Sequence, residues 1–565
     1  MNRIIRRRYG RGQSNRGGLA VPGRGPGSDL DGLRAGAAAR HRFSHRQEVS
    51  EAITAAHQRT SLTHIAIALS LVAITIPNID IMIARKYTLL MNNATTLTKN
   101  MRLAFSGFLR RETPAEDAEI THVLPGTPLG EYLRGFWQPV CLADQLKDVP
   151  LPIRILGEDL VAFRDGSGRV AVMHRHCAHR GASLEYGVIQ ERGIRCCYHG
   201  FHFDCDGLLI EAPTEPDKGA RLRATVCQGA YPALERDGLV FAYMGAPDRQ
   251  PPFEQWDAFE PDREVELVPF TNVLPCNWLQ VLDNIADQMH TSILHQPHLL
   301  FPGNTPPPGL DLSALTLPAF GTIPVIDYFP VRDNTAMVFV AGRRTTDELV
   351  WWRMNECALP NMSHHAYLFE DGLQRRLFHR LSMVRWYVPV DNTNTIIFGW
   401  RMFGAKADPL GKGRRERVGW NDMDFLEGQV GNRPDEVARR APGDYEAIVS
   451  QRPIAIHALE NPTSGDVGVY MFRRLLREAV RGTNPAAHPD RFHEPLHAGR
   501  MLHTATQNTI LRIPRQADPA ADEKMIRQIG RELNRITAES DAYQGRDRER
   551  FITDAYEQIE RQWAS

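Results

Sequence analysis

From about Thr113 onward, apolar and polar positions alternate with periods that regular structure can use. The stretch LGEYLRGFWQPVCLADQL at 129–146 begins with helical spacing and ends as an apolar run, which predicts a short helix leading into a strand. Two apolar, β-rich runs follow, IRILGEDLVAF and RVAVMHRHC, separated by RDGSG, a hairpin signal. Together they predict a helical lead-in over 113–136 and a small all-β domain over 137–247. After Pro251 and Pro252 the texture changes: NWLQVLDNIADQMHTSILH reads as helix, whereas DYFPVRDNTAMVFVAG and RWYVPVDNTNTIIFGW read as strands. The expectation for 250–497 is an antiparallel sheet flanked by helices, so the fold class is α+β. The proline-rich FPGNTPPPGLDL suits a lid or entrance, and ADEKMIRQIGRELNRITAES predicts an amphipathic helix within a C-terminal helical extension, 498–565.

Residues 1–112 follow none of these periods. Met1 to Ser50 is rich in Arg and Gly, the composition of a disordered segment. The run IAIALSLVAITIP is shorter than the ~20 residues of a spanning helix, which argues against a membrane anchor. The expectation is a disordered or mis-annotated extension, with translation starting at Met91 or Met101.

Length and charge narrow the class. A chain of 565 residues exceeds one hydrophobic core. Its 67 basic residues balance its 67 acidic ones, which gives no field to draw nucleic acid or an anionic membrane. Eight cysteines are too sparse for a disulfide framework and suit metal ligation in the cytoplasm.

Three of those cysteines lie in HRHCAHRGASLEYGVIQERGIRCCYHGFHFD, which contains C-x-H, sixteen residues, then C-x-x-H. Each half offers one thiolate and one imidazole, whereas a Cys2His2 zinc site separates its cysteine pair from its histidine pair. A [2Fe-2S] cluster with two Cys on one iron and two His on the other uses this mixture, because neutral imidazole raises the reduction potential. The segment resembles the Rieske domain of ring-hydroxylating oxygenases. That resemblance implies Cys177 and Cys196 on one iron and His179 and His199 on the other; Cys197 stands where the family usually has Pro. His174, His176 and His202 fall outside the spacing, and Ala182 and Tyr198 stand where respiratory Rieske proteins carry a disulfide. Gly181 and Gly200 are expected to let the loops approach the sulfides.

Downstream, N-x-x-D-x-x-H-x-x-x-x-H runs from Asn284 through Asp287 and His290 to His295. On one helix His295 would sit about 140° round from His290, so the helix must bend or end between them to serve one metal. The segment resembles the iron-binding stretch of the same oxygenases, most closely the phthalate dioxygenase-like branch. By that resemblance His290 and His295 bind a mononuclear Fe(II), with His298 a rival. By the same resemblance Asp444 would supply the carboxylate, since it keeps that branch's spacing of six residues before Ser450 and nine before Pro453; Asp424, Asp435 and Glu446 compete, each with a bland reading as solvated surface. By the same resemblance Asp287 would bridge His199 of one chain to His290 of the next, with Asn284 able to share the role; this needs a ring of subunits, in the family commonly a homotrimer or a multiple of one. The alternative is that Asp287 only orients His290.

The family reading implies a terminal oxygenase that takes electrons from NAD(P)H through a separate reductase or ferredoxin, since no nicotinamide fingerprint is present. With O2 it would hydroxylate or O-demethylate an aromatic substrate, whose pocket is expected around Phe301 to Arg343, Trp351 and Trp386. The rival reading is a Rieske electron carrier without oxygenase activity. At the Cys-Cys doublet, Cys196→Ala should abolish the Rieske EPR signal and Cys197→Pro should leave it intact; the reverse pattern would overturn the assignment.

Overall fold

Strand Glu158–Arg164 is apolar on both faces because it serves two cores. Leu160 and Ala162 pack into one core and Val161 and Phe163 into another, and in Val170–His174 the neighbours Val172 and Met173 divide in the same way. The second core encloses Cys177, Cys196, Phe201 and Phe203. The first continues through Phe241 into Trp386 and Trp400 of the following domain, with ring centroids 5.5 and 6.0 Å apart.

The computed structural model describes residues 104–107, 111–259, 265–306, 308–309, 311–492 and 501–564. The apolar run at 65–77 and both candidate start methionines lie outside them. The chain divides into units 1–113 and 114–565, and everything below concerns the second. The predicted lead-in is two short helices, Ala118–Thr121 and Pro128–Arg134. The β domain holds a three-stranded and two four-stranded antiparallel sheets.

The run IRILGEDLVAF is itself a hairpin. Leu151–Ile155 and Glu158–Arg164 pair through a turn at Leu156 and Gly157, with φ of 49° and 82°. A left-handed leucine costs on the order of 1–2 kcal/mol, which is why the sequence carries no turn signal there. Two contacts offset the cost. The Leu156 side chain is fully buried in the shared core, a gain of about 2 kcal/mol, and the Leu156 and Gly157 N–H groups donate to the carbonyls of Pro389 and Val390, 2.8 Å each. The turn thus clips the β domain to a strand of the next.

That next domain is an eight-stranded antiparallel sheet. Its path runs Glu266–Leu274, Asn394–Phe403, Arg376–Asp391, Met362–Ala366, Leu349–Ala358, Ala336–Arg344 and Val325–Val331. Gln507–Arg512 pairs with Leu349–Ala358 and Arg376–Asp391, so the tail beyond 498 is not only a helical extension but supplies a strand to the sheet interior. Helices Pro519–Glu539 and Gly545–Trp563 then cover one face. Met525, Ile526, Ile529, Leu533 and Ile536 pack with Val350, Trp352 and Met354. The intervening Trp351, Arg353 and Asn355 point to the opposite face, where helix Trp278–Ala286 lies.

Between the two domains Glu254 is buried, with the Trp256 indole N–H donating to it at 3.0 Å and no cation paired to it among the described residues. Burial pushes its carboxyl from 4.5 up to about 7, the indole only partly opposing. A carboxyl raised on folding stabilises below its unfolded value, and that stability is lost as pH rises through about 7. Glu254→Gln should therefore raise stability by about 3 kcal/mol at pH 8 and by little at pH 4.5, read from apparent Tm at the two pH values.

Candidate functional site

The two cysteine–histidine loops are built alike. The Cys177 N–H donates to the Ala182 carbonyl and its own carbonyl accepts from Gly181; Cys196 does the same with Phe201 and Gly200, all at 2.8 to 3.1 Å. Gly181 and Gly200 adopt φ of 77° and 74°, a backbone that favours glycine and closes each loop. Gln228 ties the first loop down, accepting from Ala178 N–H at 2.7 Å and donating to the His174 and His176 carbonyls.

Cys177 and Cys196 are buried, while His179 is exposed and His199 half-buried. The imidazole centroids lie 4.6 Å apart, and His179 stacks on Phe201 at 4.4 Å. Burial pushes the Cys177 thiol up to about 11, with Cys196 adding to it. Among the described residues these four do not draw within 4.8 Å of one another, as ligands of one small ion would. Two thiols inside and two imidazoles outside suit a dinuclear group. His174 bonds Tyr231, His176 bonds Gly181 and His202 bonds Arg192, so all three are engaged elsewhere. Cys197 is exposed, and all eight cysteines are free.

The helix Trp278–Ala286 ends before either downstream histidine, earlier than the helical reading through Asp287 and His290 required. The cause is local. Asp287 leaves helical geometry and its Oδ1 accepts the Met289 N–H at 2.8 Å, an Asx turn. A new turn, Thr291–Leu294, then carries His290 at its start and His295 at its end. The His290 Nδ1–H donates to the Asp287 carbonyl at 2.6 Å, which leaves Nε2 with a free lone pair.

That Nε2 lies 3.5 Å from Asp444 Oδ1, and His295 Nε2 lies 3.5 Å from Oδ2. The three residues are a group with one donor atom each within 4.8 Å. Asp444 opens helix Asp444–Val449 and is buried. Asn284 Nδ2 donates to Oδ1 at 3.3 Å, and Gln429 Nε2 donates to Oδ2. Burial pushes the Asp444 carboxyl up, but His295, His290 and the two amides outweigh it and hold it below its ordinary value. For His295 burial prevails over Asp444 and takes the imidazole down to about 4, which leaves it neutral. A buried carboxylate between two imidazoles, with no Arg or Lys partner among the described residues, fits a divalent metal. His298 lies outside this group. Of the rival carboxylates, Asp435 pairs with Arg439 and Glu446 with Arg433, while Asp424 is no surface group: it is fully buried against Arg401 at 3.1 Å.

Two concavities meet here. The inner one, about 50 Å³, is lined by the three candidate ligands with Phe320, Arg353, His365, Met383, Arg385 and Phe425 among others. The outer one, about 370 Å³, is lined by Asp283, Asp287, Glu460 and Asp466 around Arg473. His290 and Asn284 line both, and so form part of the wall between them. Phe320 falls within the pocket region expected from sequence, and the strands near Trp351 and Trp386 supply Arg353, Asn355, Met383 and Arg385, while Trp386 itself faces the shared core. Arg353 and Gln429 were not legible from motif spacing; inward alternation around Trp351 was the available signal for Arg353.

The chain is similar to known proteins at three levels: a domain family, curated relatives and solved structures. Residues 136–227 match the family model described as Rieske [2Fe-2S] domain. The chain is 49% identical over 445 residues to the tert-butanol monooxygenase / tert-amyl alcohol desaturase oxygenase subunit of Aquincola tertiaricarbonis, covering 78% of this chain and 92% of that one. It is 33% identical to the phenoxybenzoate dioxygenase subunit alpha of Ectopseudomonas oleovorans, over 66% of this chain and 87% of the relative. The solved structure of NdmA from Pseudomonas putida CBB5 matches 65% of this chain and 96% of its own at 22% identity and a TM-score of 0.42. With two thiol–imidazole loops and a separate two-histidine, one-carboxylate group in one chain, and a 49% identical relative nearly spanned by it, the protein belongs to the Rieske oxygenases, as a terminal oxygenase subunit.

Proposed function

We propose that this oxygenase acts on an aromatic acid, in a cavity where His290, His295 and Asp444 hold the mononuclear iron and Cys177, His179, Cys196 and His199 hold the [2Fe-2S] cluster. One observation carries the substrate reading: Arg353 and Arg385 line the inner cavity, both buried, and among the described residues neither pairs with a carboxylate. Arg353 spends its Nη atoms on the Tyr367 and Ala366 carbonyls; Arg385 donates to a thioether, Met423 Sδ, and its Nε has no acceptor. A buried cation with no carboxylate in ion-pair contact costs several kcal/mol, which a substrate carboxylate would offset. Burial takes Arg353 down to about 10, with Glu370 opposing, so it stays a cation at neutral pH.

The two iron groups, when bound, supply electron storage and oxygen activation. The chain's own residues orient them and shape their surroundings. Asp287 holds the His290 tautomer through its carbonyl, and its carboxylate stands 3.7 Å from the same Nδ1. The acidic outer concavity supports docking of a neighbouring subunit's Rieske tip, where His179 and Arg180 are exposed; this reading gives a homotrimer or a multiple of one. Electrons come from NAD(P)H through a separate reductase or ferredoxin. Free cysteines throughout support a cytoplasmic setting; no described helix is long and apolar enough to cross a membrane.

A second substrate reading, a tertiary alcohol, rests on the 49% identical relative and the small inner cavity. Substrate-dependent O2 uptake coupled to product, measured across benzoates, methoxybenzoates, phenoxy ethers and tertiary alcohols, separates the two. The acids should couple, and Arg385→Leu should raise their KM tenfold or more; coupling with alcohols alone would replace the acid reading.

The metal assignments are checked separately. The wild type should carry about three irons per chain and Asp444→Ala about two, with the Rieske EPR signal kept. Asp287→Ala should keep both metals and lose ~10–100-fold in turnover; an active Asp287→Ala enzyme would refute the bridging role.

A further inference from the structure

Each Asp444 oxygen is shared between one imidazole and one amide, and the amide on Oδ2 belongs to Gln429, in a loop no sequence motif marks. We infer that Gln429 is a positioning residue for the metal-binding carboxylate, presented to it by a glycine clasp. The inference rests on the reading that His290, His295 and Asp444 hold a metal.

The clasp is visible in the packing. Gln429 follows Gly428 and Asp444 follows Gly443, and a β-carbon added to either glycine would stand 2.7 Å from the other's Cα. Gly428 also has φ of 80°, a backbone that favours glycine. The Tyr445 N–H donates to the Gly428 carbonyl at 2.8 Å, and a β-carbon at Gly431 would collide with the Tyr445 ring. Three glycines thus let the 428–431 loop lie flat on the start of the Asp444–Val449 helix. Arg433 fastens the loop's far end, donating to the Ala441 carbonyl at 2.8 Å and to Glu446.

The chemistry fixes the direction. A carboxylate only accepts, so the amide nitrogen of Gln429 faces Asp444 and its hydrogen occupies one lone pair of Oδ2. Asn284 does the same on Oδ1 from the opposite wall. Pinned from both sides, the carboxylate cannot swing away from the imidazoles. Gln429 also lines the inner cavity, so the residue that holds the carboxylate borders the substrate space as well.

The test uses the full-length protein with its Rieske cluster intact, the second metal site emptied by chelation, and Co(II) as probe, read by EPR while the oxidised cluster is silent. Wild type should bind Co(II) and Asp444→Ala should not. Gln429→Met keeps the length and removes the donor; it should weaken Co(II) binding tenfold or more and change the Co(II) line shape, with the reduced Rieske signal unaltered. Gly443→Ala, which forces the loop off the helix and so withdraws an unaltered Gln429, should do the same, and it carries the test should Gln429→Met lose the Rieske signal. Co(II) binding by Gln429→Met within twofold of wild type and with the same line shape would overturn the inference alone. Failure of wild type to bind, or undiminished binding by Asp444→Ala, would overturn the metal reading beneath it.

Discussion

The carboxylate of Asp444 is the point on which the arrangement turns. It is a buried anion whose neighbours are two imidazoles and two amides, and it stays charged only because all four favour that state. An anion so placed would cost several kcal/mol if left alone. The features around it each answer that cost: the helix breaks at Asp287 so that His290 can turn its Nε2 inward, a fresh turn brings His295 round, and the glycine-packed loop delivers Gln429. Aligned on one continuous helix, His290 and His295 would diverge by about 140° and the carboxylate would have a single imidazole.

Much of this was legible in the chain. The two thiol–imidazole loops announce themselves because both ligands of each loop are local in sequence, and backbone bonds within six residues build the loop. Asn284, Asp287, His290 and His295 are local for the same reason. Asp444 lies far downstream, and only the family resemblance, through its spacing to Ser450 and Pro453, points to it; nothing local marks a carboxylate that becomes buried by long-range packing. Asp424 shows the same, since it is buried against Arg401, a partner 23 residues away.

Other features escaped because tertiary contacts overrode local rules. The Leu156–Gly157 turn has a leucine where turn chemistry asks for Asn or Gly, and only its burial under the next domain explains it. The C-terminal strand Gln507–Arg512 reads as a short apolar stretch near an amphipathic helix; its place between two strands from much earlier in the chain is a matter of sheet topology, which periodicity cannot convey. The arginines of the inner cavity likewise look like ordinary strand residues until the sheet shows which face each takes.

Strand Arg376–Asp391 is gripped near its end by the Leu156–Gly157 turn and carries Met383 and Arg385 into the cavity a few residues earlier. Side chains on a strand alternate, so a slip of one residue would turn every inward group outward. The turn's two N–H groups hold successive carbonyls at 389 and 390, which makes the domain junction a register lock for the pocket. New substrate preferences can therefore arise by exchanging side chains at fixed places along this strand, whereas an insertion or deletion between the cavity and the junction would disturb both at once. The junction between the domains thus limits the routes by which the pocket can diversify.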